Sequence, residues 1–128
     1  MKETDEEIAR RAIAFLHFDI LPPKFSIIKN NITYTIQWDG CAKSDNNIII
    51  IEVERGKINK LHIIYHLLNL LLLIKNGISI DKIIWIVDWP SKNELKEIIK
   101  EFNTIFDDVF TCKLPPYEIR DSITFELL

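Results

Sequence analysis

The sequence predicts a mixed α/β fold in which helices flank a central β-sheet. Isoleucine, which favours strands, occurs 25 times among the 128 residues. Strand-like segments alternate along the chain with helix-like segments, a pattern typical of a sheet covered by helices. We expect the order α-β-β-β-α-β followed by an added α-β unit. The length suits a single domain that spans residues 1–128.

The first half of the chain predicts one helix, a hairpin and a central strand. Residues 4–7 match a capping box, and apolar residues at helical spacing continue the helix to about residue 18. Two β-rich segments within residues 25–38 surround an Asn-Asn pair that suits a tight hairpin turn. We expect a turn region over residues 40–47 and then an aliphatic strand over residues 48–54, in the centre of the sheet.

The second half predicts two further helices separated by strands. Residues 57–75 are apolar on most sides, so this helix must be largely buried or shared with a partner. A strand is expected over residues 82–88, followed by a helix that opens with a capping box and covers residues 91–106. Residues 109–114 can then return as a parallel strand in a right-handed β-α-β unit. Residues 119–128 predict a terminal edge strand or a short helix.

Composition and charge exclude several classes of protein. The formal net charge of −3 argues against a protein that coats nucleic acid by bulk electrostatics, but it leaves a localised site open. Cys41 and Cys112 are too few for a disulfide framework and lack the C-x-x-C spacing of zinc or redox sites. The first residues lack the apolar core of a signal peptide, and no apolar run is long enough to span a bilayer. We therefore expect a cytoplasmic protein with free thiols and no membrane partner.

Three acidic residues are predicted to converge beside the central strand. Glu52 and Glu54 share one face of an otherwise aliphatic strand, with Cα atoms about 7 Å apart. Asp39, at the end of the neighbouring hairpin strand, can lie about 5 Å across from them. Carboxylates this close repel one another unless they share a cation, and oxygen ligands favour Mg²⁺ or Mn²⁺ over zinc. In the alternative interpretation, both glutamates face water at a solvated strand end.

The order of these elements and two short motifs resemble the PD-(D/E)xK nuclease superfamily, which has the restriction-endonuclease-like fold. The matching segments are Trp38-Asp39-Gly40 and Ile51-Glu52-Val53-Glu54. The resemblance implies a metal-dependent endonuclease that hydrolyses phosphodiester bonds in DNA. It implies that Asp39 and Glu52 bind the metal and that Asp39, Glu52 and Glu54 are catalytic. Glu54 occupies the position where most members carry a lysine, although some restriction enzymes of this fold use Glu-x-Glu.

Other polar residues are candidates for supporting roles. Glu54 can act as a general base or as a further metal ligand, and Lys57 or Lys43 can replace the missing motif lysine. Glu7 can add a fourth carboxylate, as in some family members, although its role in the capping box already explains it. The basic residues that could contact phosphates, or else form a solvated surface, are Arg10, Arg11, Arg55 and Lys57.

His62 and His66 lie one turn apart on the second predicted helix. This spacing occurs in zinc sites, but the helix lacks the adjacent glutamate of a metalloprotease, and the motif lacks a third ligand. In a subset of the similar nucleases, a polar pair on this helix faces the active site. By that resemblance, the two histidines are candidates for a surface that supports the site or contacts substrate. The alternative is a hydrogen-bonded histidine pair that faces the core or a partner.

The second predicted helix also offers an apolar face beyond what the sheet needs. This face consists of Ile63, Leu67, Leu70 and Ile74. A lone domain should not expose so wide an apolar stripe, so we expect a homodimer through this face or through an edge strand.

Three functions are compatible with these patterns. The first is a metal-dependent endonuclease that acts on DNA with Mg²⁺ or Mn²⁺. The second keeps the nuclease fold in a non-catalytic subunit for nucleic-acid binding or assembly, because glutamate replaces the motif lysine. The third is a small α/β protein-interaction domain, since a fold alone does not determine function.

Overall fold

A computed structural model describes residues 3–109 and 114–121 of the chain. Within these residues it contains three α-helices and seven strands. The helices are α1 (Asp5–Phe15), α2 (Lys60–Lys75) and α3 (Lys92–Val109). The strands are β1 (Asp19–Leu21), β2 (Lys24–Lys29), β3 (Ile32–Gln37), β4 (Gly40–Ser44), β5 (Asn47–Glu54), β6 (Ile80–Val87) and β7 (Tyr117–Asp121).

Five of the strands form one mixed sheet in the order β1-β4-β5-β6-β7. The pairs β1–β4 and β4–β5 are antiparallel, whereas β5–β6 and β6–β7 are parallel. Parallel neighbours need a crossover connection, which α2 supplies between β5 and β6 and α3 supplies between β6 and β7. The predicted α/β class with a mixed central sheet is therefore confirmed.

The central strand β5 is buried on both faces, as its run of aliphatic residues predicts. Ile49 and Ile51 pack with α1 on one face, while Ile50 packs with α2 and α3 on the other. Because side chains alternate along a strand, Glu52 and Glu54 follow Ile50 onto the α2 side. The carboxyl end of β5 thus delivers two acidic side chains beneath a helix.

The capping box at the start of α1 is confirmed. The Thr4 hydroxyl accepts the backbone N–H of Glu7, and the Glu7 side chain accepts the backbone N–H of Thr4. The helix ends at Phe15, earlier than the predicted residue 18. His17 adopts a positive φ of 59°, which turns the chain out of the helix and into β1.

The predicted hairpin is present, but it forms its own two-stranded sheet. Asn30 and Asn31 both have positive φ, as a two-residue hairpin turn requires. The prediction of a turn over residues 40–47 was wrong, because residues 40–44 form β4. This strand lacks β-branched residues, yet Cys41 and Ala42 are buried and it pairs with β5 on one side and β1 on the other.

The second half departs from prediction at several element boundaries. Helix α2 begins at Lys60 rather than residue 57, because the Asn59 side chain accepts the N–H groups of Leu61 and His62 and so caps the helix. Ser91, the predicted N-cap of α3, ends a short 3-10 turn (Trp89–Ser91) directly before the helix, and the Ser91 hydroxyl donates to the Gly56 carbonyl at 2.9 Å.

The parallel strand after α3 lies later in the chain than predicted. Residue 109 still belongs to α3, residues 110–113 lie outside the described residues, and the parallel strand is β7 at Tyr117–Asp121. This strand forms the edge of the sheet, in agreement with one of the two alternatives, edge strand or short helix, predicted for residues 119–128. The remainder of that predicted segment, residues 122–128, also lies outside the described residues.

The apolar face of α2 that motivated the dimer prediction is part of the core. Ile63, Leu67 and Leu70 are at most 1% exposed, because α2 packs on one side against the sheet and on the other against α3 and the hairpin. That face therefore gives no reason to expect a dimer. Among the described residues, no helix is sufficiently long and apolar to cross a membrane.

A close approach between α1 and β4 gives a test of this packing. A Cβ added at Gly40 would lie 2.8 Å from the Cβ of Ala9, well inside van der Waals contact. We expect Gly40→Ala to lower the free energy of unfolding by about 1–3 kcal/mol, measured by urea denaturation. The double variant Ala9→Gly/Gly40→Ala removes the clash and should recover part of the loss. Equal stability of Gly40→Ala and the natural chain would contradict this packing.

Candidate metal centre

An open cavity of about 640 Å³ lies at the carboxyl end of β5. Three segments besides β5 contribute to it: the first turn of α1, the junction between β3 and β4, and the first turns of α2. Its lining residues are Asp5, Glu6, Gln37, Trp38, Asp39, Glu52, Val53, Glu54, Arg55, His62 and His66. The cavity therefore brings together the three predicted carboxylates and both histidines of α2.

Asp39 and Glu52 are held together by two backbone hydrogen bonds. The backbone N–H of Asp39 donates to Oε1 of Glu52 at 2.9 Å, and the N–H of Val53 donates to Oδ2 of Asp39 at 2.8 Å. One oxygen of each carboxylate is thus oriented by a backbone N–H group, that of Asp39 for Glu52 and that of Val53 for Asp39. The second oxygen of Glu52 contacts His66 of α2.

These two carboxyl groups are costly to ionise in their surroundings. Glu52 is only 1% exposed, and its burial, with the nearby charge of Asp39, raises its pKa well above the ordinary value. Burial also raises the pKa of Asp39 to about 6, against the opposing effect of the Val53 N–H. In residues 3–109 and 114–121, no lysine or arginine forms an ion pair with either group. A divalent cation between them would supply the missing positive charge, so these residues fit a metal site.

Helix α2 places its two histidines directly over the acidic end of β5. Nε2 of His66 lies 3.1 Å from Oε2 of Glu52 and 3.0 Å from Nε2 of His62. Nδ1 of His62 lies 3.3 Å from Oε2 of Glu54. Burial, and secondarily the neighbouring His62, lowers the pKa of His66 to about 4. This lowered pKa favours the neutral form of His66, in which one ring nitrogen carries a lone pair.

Glu54 completes a group of three residues that could hold a metal ion. One ligand atom from each of Glu54, His62 and His66 lies within 4.8 Å of the other two. Burial raises the pKa of Glu54, and His62 opposes this effect. Its Oε1 is buried without a hydrogen-bond partner among the described residues and lies 3.7 Å from Nε2 of His66. The sequence did not reveal that Glu54 lies beside the histidine pair and supplies the third donor atom of this group.

The other acidic candidate, Glu7, does not line the cavity among the described residues. It is exposed and engaged in the capping box of α1. Asp5 and Glu6, from the same helical turn, line the cavity instead. The acidic first turn of α1 is visible in the sequence. Which of its acidic residues face the cavity depends on the rotation of the helix about its axis, which the sequence does not show.

The candidate basic residues lie in different environments. Arg55 lines the cavity, donates to the Glu3 carbonyl and pairs with Asp5 at 2.8 Å, while Arg11 pairs with Glu3. Arg10, Lys57 and Lys43 are exposed.

Neither lysine proposed as a substitute for the motif lysine is among the described residues that line the cavity. Lys43 pairs in register with Ile48, toward the opposite end of β5 from Glu54. Arg55 is thus the one basic residue among the described cavity-lining residues other than the histidines, and Asp5 already engages it.

Comparison of the chain with protein-family models, curated proteins and solved structures found no match.

Proposed function

We propose that this protein is a metal-dependent nuclease that hydrolyses phosphodiester bonds in DNA, with Mg²⁺ or Mn²⁺ as its cofactor. The observation that carries the proposal is the pairing of Asp39 with the buried Glu52 at an open cavity. The resemblance of the Asp39 and Glu-x-Glu motifs to the PD-(D/E)xK superfamily also supports it. In this proposal Asp39 and Glu52 bind the cation, and Glu54 is the third catalytic carboxylate.

Each of these residues has a role that follows from its surroundings. The backbone N–H groups of Asp39 and Val53 orient the two metal-binding carboxylates, so little reorganisation is needed when a cation binds. A bound cation of this kind polarises a phosphoryl oxygen and lowers the pKa of a water molecule. Glu54 faces the same cavity and replaces the motif lysine with a group that binds metal or accepts a proton.

The charge of the cavity implies that substrate binding needs the cation. Its described lining includes five carboxylates and one arginine that is already paired with Asp5. A phosphate group would be repelled by this surface unless divalent cations neutralise it. We therefore expect DNA affinity in the cavity to depend on Mg²⁺ or Mn²⁺.

The absence of a lysine among the described cavity-lining residues favours a second candidate function. In that case the chain would be a non-catalytic subunit that binds metal and nucleic acid without cleaving it. Exposed Arg10 and Lys57 are then candidates for phosphate contacts.

Plasmid nicking with a parallel thermal melt tests the proposal and separates the two candidates. The purified full chain, stripped with EDTA, is incubated with supercoiled plasmid and either Mg²⁺ or Mn²⁺. We expect nicking that requires the cation, together with a higher Tm in its presence, because a ligand that binds only the folded state stabilises it. A raised Tm and cation-dependent DNA binding without nicking would favour the non-catalytic subunit. If the chain cleaves neither plasmid nor single-stranded nor branched DNA, and the cation does not raise its Tm, both candidates are excluded.

A further inference from the structure

We propose that Glu54, His62 and His66 form a second cation site, which binds a transition metal of the Zn²⁺ class beside the oxygen-only position of Asp39 and Glu52. The three residues come from the end of β5 and the first two turns of α2. The site does not require the chain to be a nuclease, because none of its ligands depends on a substrate.

The positions of the ligand atoms support this site. Tetrahedral zinc with Zn–N distances near 2.0–2.1 Å holds two imidazole nitrogens about 3.3 Å apart. The two Nε2 atoms of His62 and His66 lie 3.0 Å apart, which is close to that separation. Oε1 of Glu54 lies 3.7 Å from the same Nε2 of His66, close to the ligand separation within one coordination sphere.

Hydrogen bonding within the protein leaves part of this group unsatisfied. Two facing imidazole nitrogens can share only one proton, so that contact satisfies one donor and one acceptor. Oε1 of Glu54 still has no hydrogen-bond partner in the described part of the chain, although the residue is only 8% exposed. A cation would bind both nitrogens and this oxygen at once, which no arrangement of protons achieves.

The identity of the donors selects the class of metal. Two imidazoles and one carboxylate are a donor set found in zinc sites that keep a fourth position open. Magnesium prefers oxygen ligands and retains its water, so it belongs with Asp39 and Glu52 rather than with the histidines. The three ligands all line the cavity, so the fourth position would face it. Glu54 is then a metal ligand rather than a proton acceptor.

Cobalt is a suitable probe, because Co²⁺ replaces Zn²⁺ and absorbs visible light strongly only in four- or five-coordinate sites. The EDTA-treated full chain is titrated with Co²⁺, and we expect a visible band that saturates at one equivalent. His62→Asn and Glu54→Gln should each weaken Co²⁺ binding by about 100-fold or more, since loss of residues that merely support a metal ligand already costs 10–100-fold. Addition of Zn²⁺ should abolish the band by displacement.

Two variants serve as controls. His17→Asn replaces the third histidine of the chain, which is exposed, and asparagine tolerates its positive φ of 59°. Asp39→Asn removes a ligand of the oxygen-only position. Both variants should keep the Co²⁺ band, and circular dichroism without metal should show that all four variants are folded. His62 is half-exposed, so its substitution should preserve the fold even if another variant does not.

Three results would overturn the second site. These are a natural chain without a strong Co²⁺ band, a band that His62→Asn leaves unchanged, and a band that Asp39→Asn abolishes. Failure of the nuclease proposal gives a different result, namely an intact Co²⁺ band in a chain that does not nick DNA with Mg²⁺ or Mn²⁺.

Discussion

Asp39→Asn is expected to lower the rate of Mn²⁺-dependent plasmid nicking by about 10³-fold while leaving the protein folded. Asparagine keeps an oxygen that can accept the Val53 N–H, so the backbone contact at 2.8 Å can persist. The other side-chain atom becomes an uncharged amide nitrogen, which does not bind Mg²⁺ or Mn²⁺. Metal-ion catalysis contributes several kcal/mol of transition-state stabilisation, and about 4 kcal/mol corresponds to a 10³-fold change in rate.

A matched substitution separates this effect from a general loss of charge. Asp45 lies in the turn between β4 and β5 and has a positive φ of 55°, which asparagine adopts readily. Asp45→Asn makes the same chemical change toward the other end of β5 and should nick plasmid at the natural rate. Both variants should be purified in parallel, so that a contaminating nuclease would appear in each. Nicking by Asp39→Asn within a few-fold of the natural chain would remove Asp39 from the proposed catalytic group.

The meeting of Asp39 and Glu52 could be predicted in part from local rules. Strand parity places Glu52 and Glu54 on one face of β5. Asp39 lies beside them because β4 begins at Gly40 and pairs with β5, whereas the sequence predicted the hairpin strand in that place. The energetic cost of burying a carboxylate then identifies the place where a cation fits. Strand parity and the cost of burial require no knowledge of how distant parts of the chain pack, but the pairing of β4 with β5 was not predicted.

The contact between Glu54 and the histidines could not be predicted in the same way. It depends on how α2 docks over β5, and that orientation is set by tertiary packing of Ile63 and Leu67. The sequence showed the helical spacing of the histidines but not which strand residue would lie beneath them. Glu54 lies eight residues before His62, across a loop, and this separation is not a characteristic spacing of metal ligands.

Strands β1 and β4 were missed for a related reason. They have three and five residues, and β4 contains no β-branched side chain. β4 is stabilised by pairing with β5 and by the small residues Gly40 and Ala42, which admit α1, and β1 is stabilised by pairing with β4. Sequence patterns detect strands that bury large aliphatic side chains. They do not detect strands such as β4, whose small residues allow a helix to pack closely against them.

Glu52→Gln is expected to have opposite effects on the metal-free and the metal-bound protein. Without metal it should raise the free energy of unfolding by about 1–3 kcal/mol at pH 8, the usual cost of an uncompensated buried polar group. Its amide oxygen can accept the Asp39 N–H, and its amide nitrogen can donate to Nε2 of the neutral His66 in place of the present 3.1 Å contact. With Mn²⁺ present, the variant should lose the rise in Tm, because a neutral amide cannot replace the carboxylate ligand.

The stabilising effect of Glu52→Gln should grow with pH, which distinguishes it from better packing. The pKa of Glu52 is raised above its ordinary value of 4.5, so the folded chain retains a proton that the unfolded chain releases. The natural protein therefore loses stability relative to the variant as pH rises above about 4.5, at up to about 1.4 kcal/mol per pH unit. Urea denaturation at several pH values between 4 and 8 measures this difference, with exposed Glu97→Gln as control. A gain that is independent of pH, or a loss of stability at pH 8, would show that burial does not make ionised Glu52 costly, and the charge argument for a cation at this position would fail.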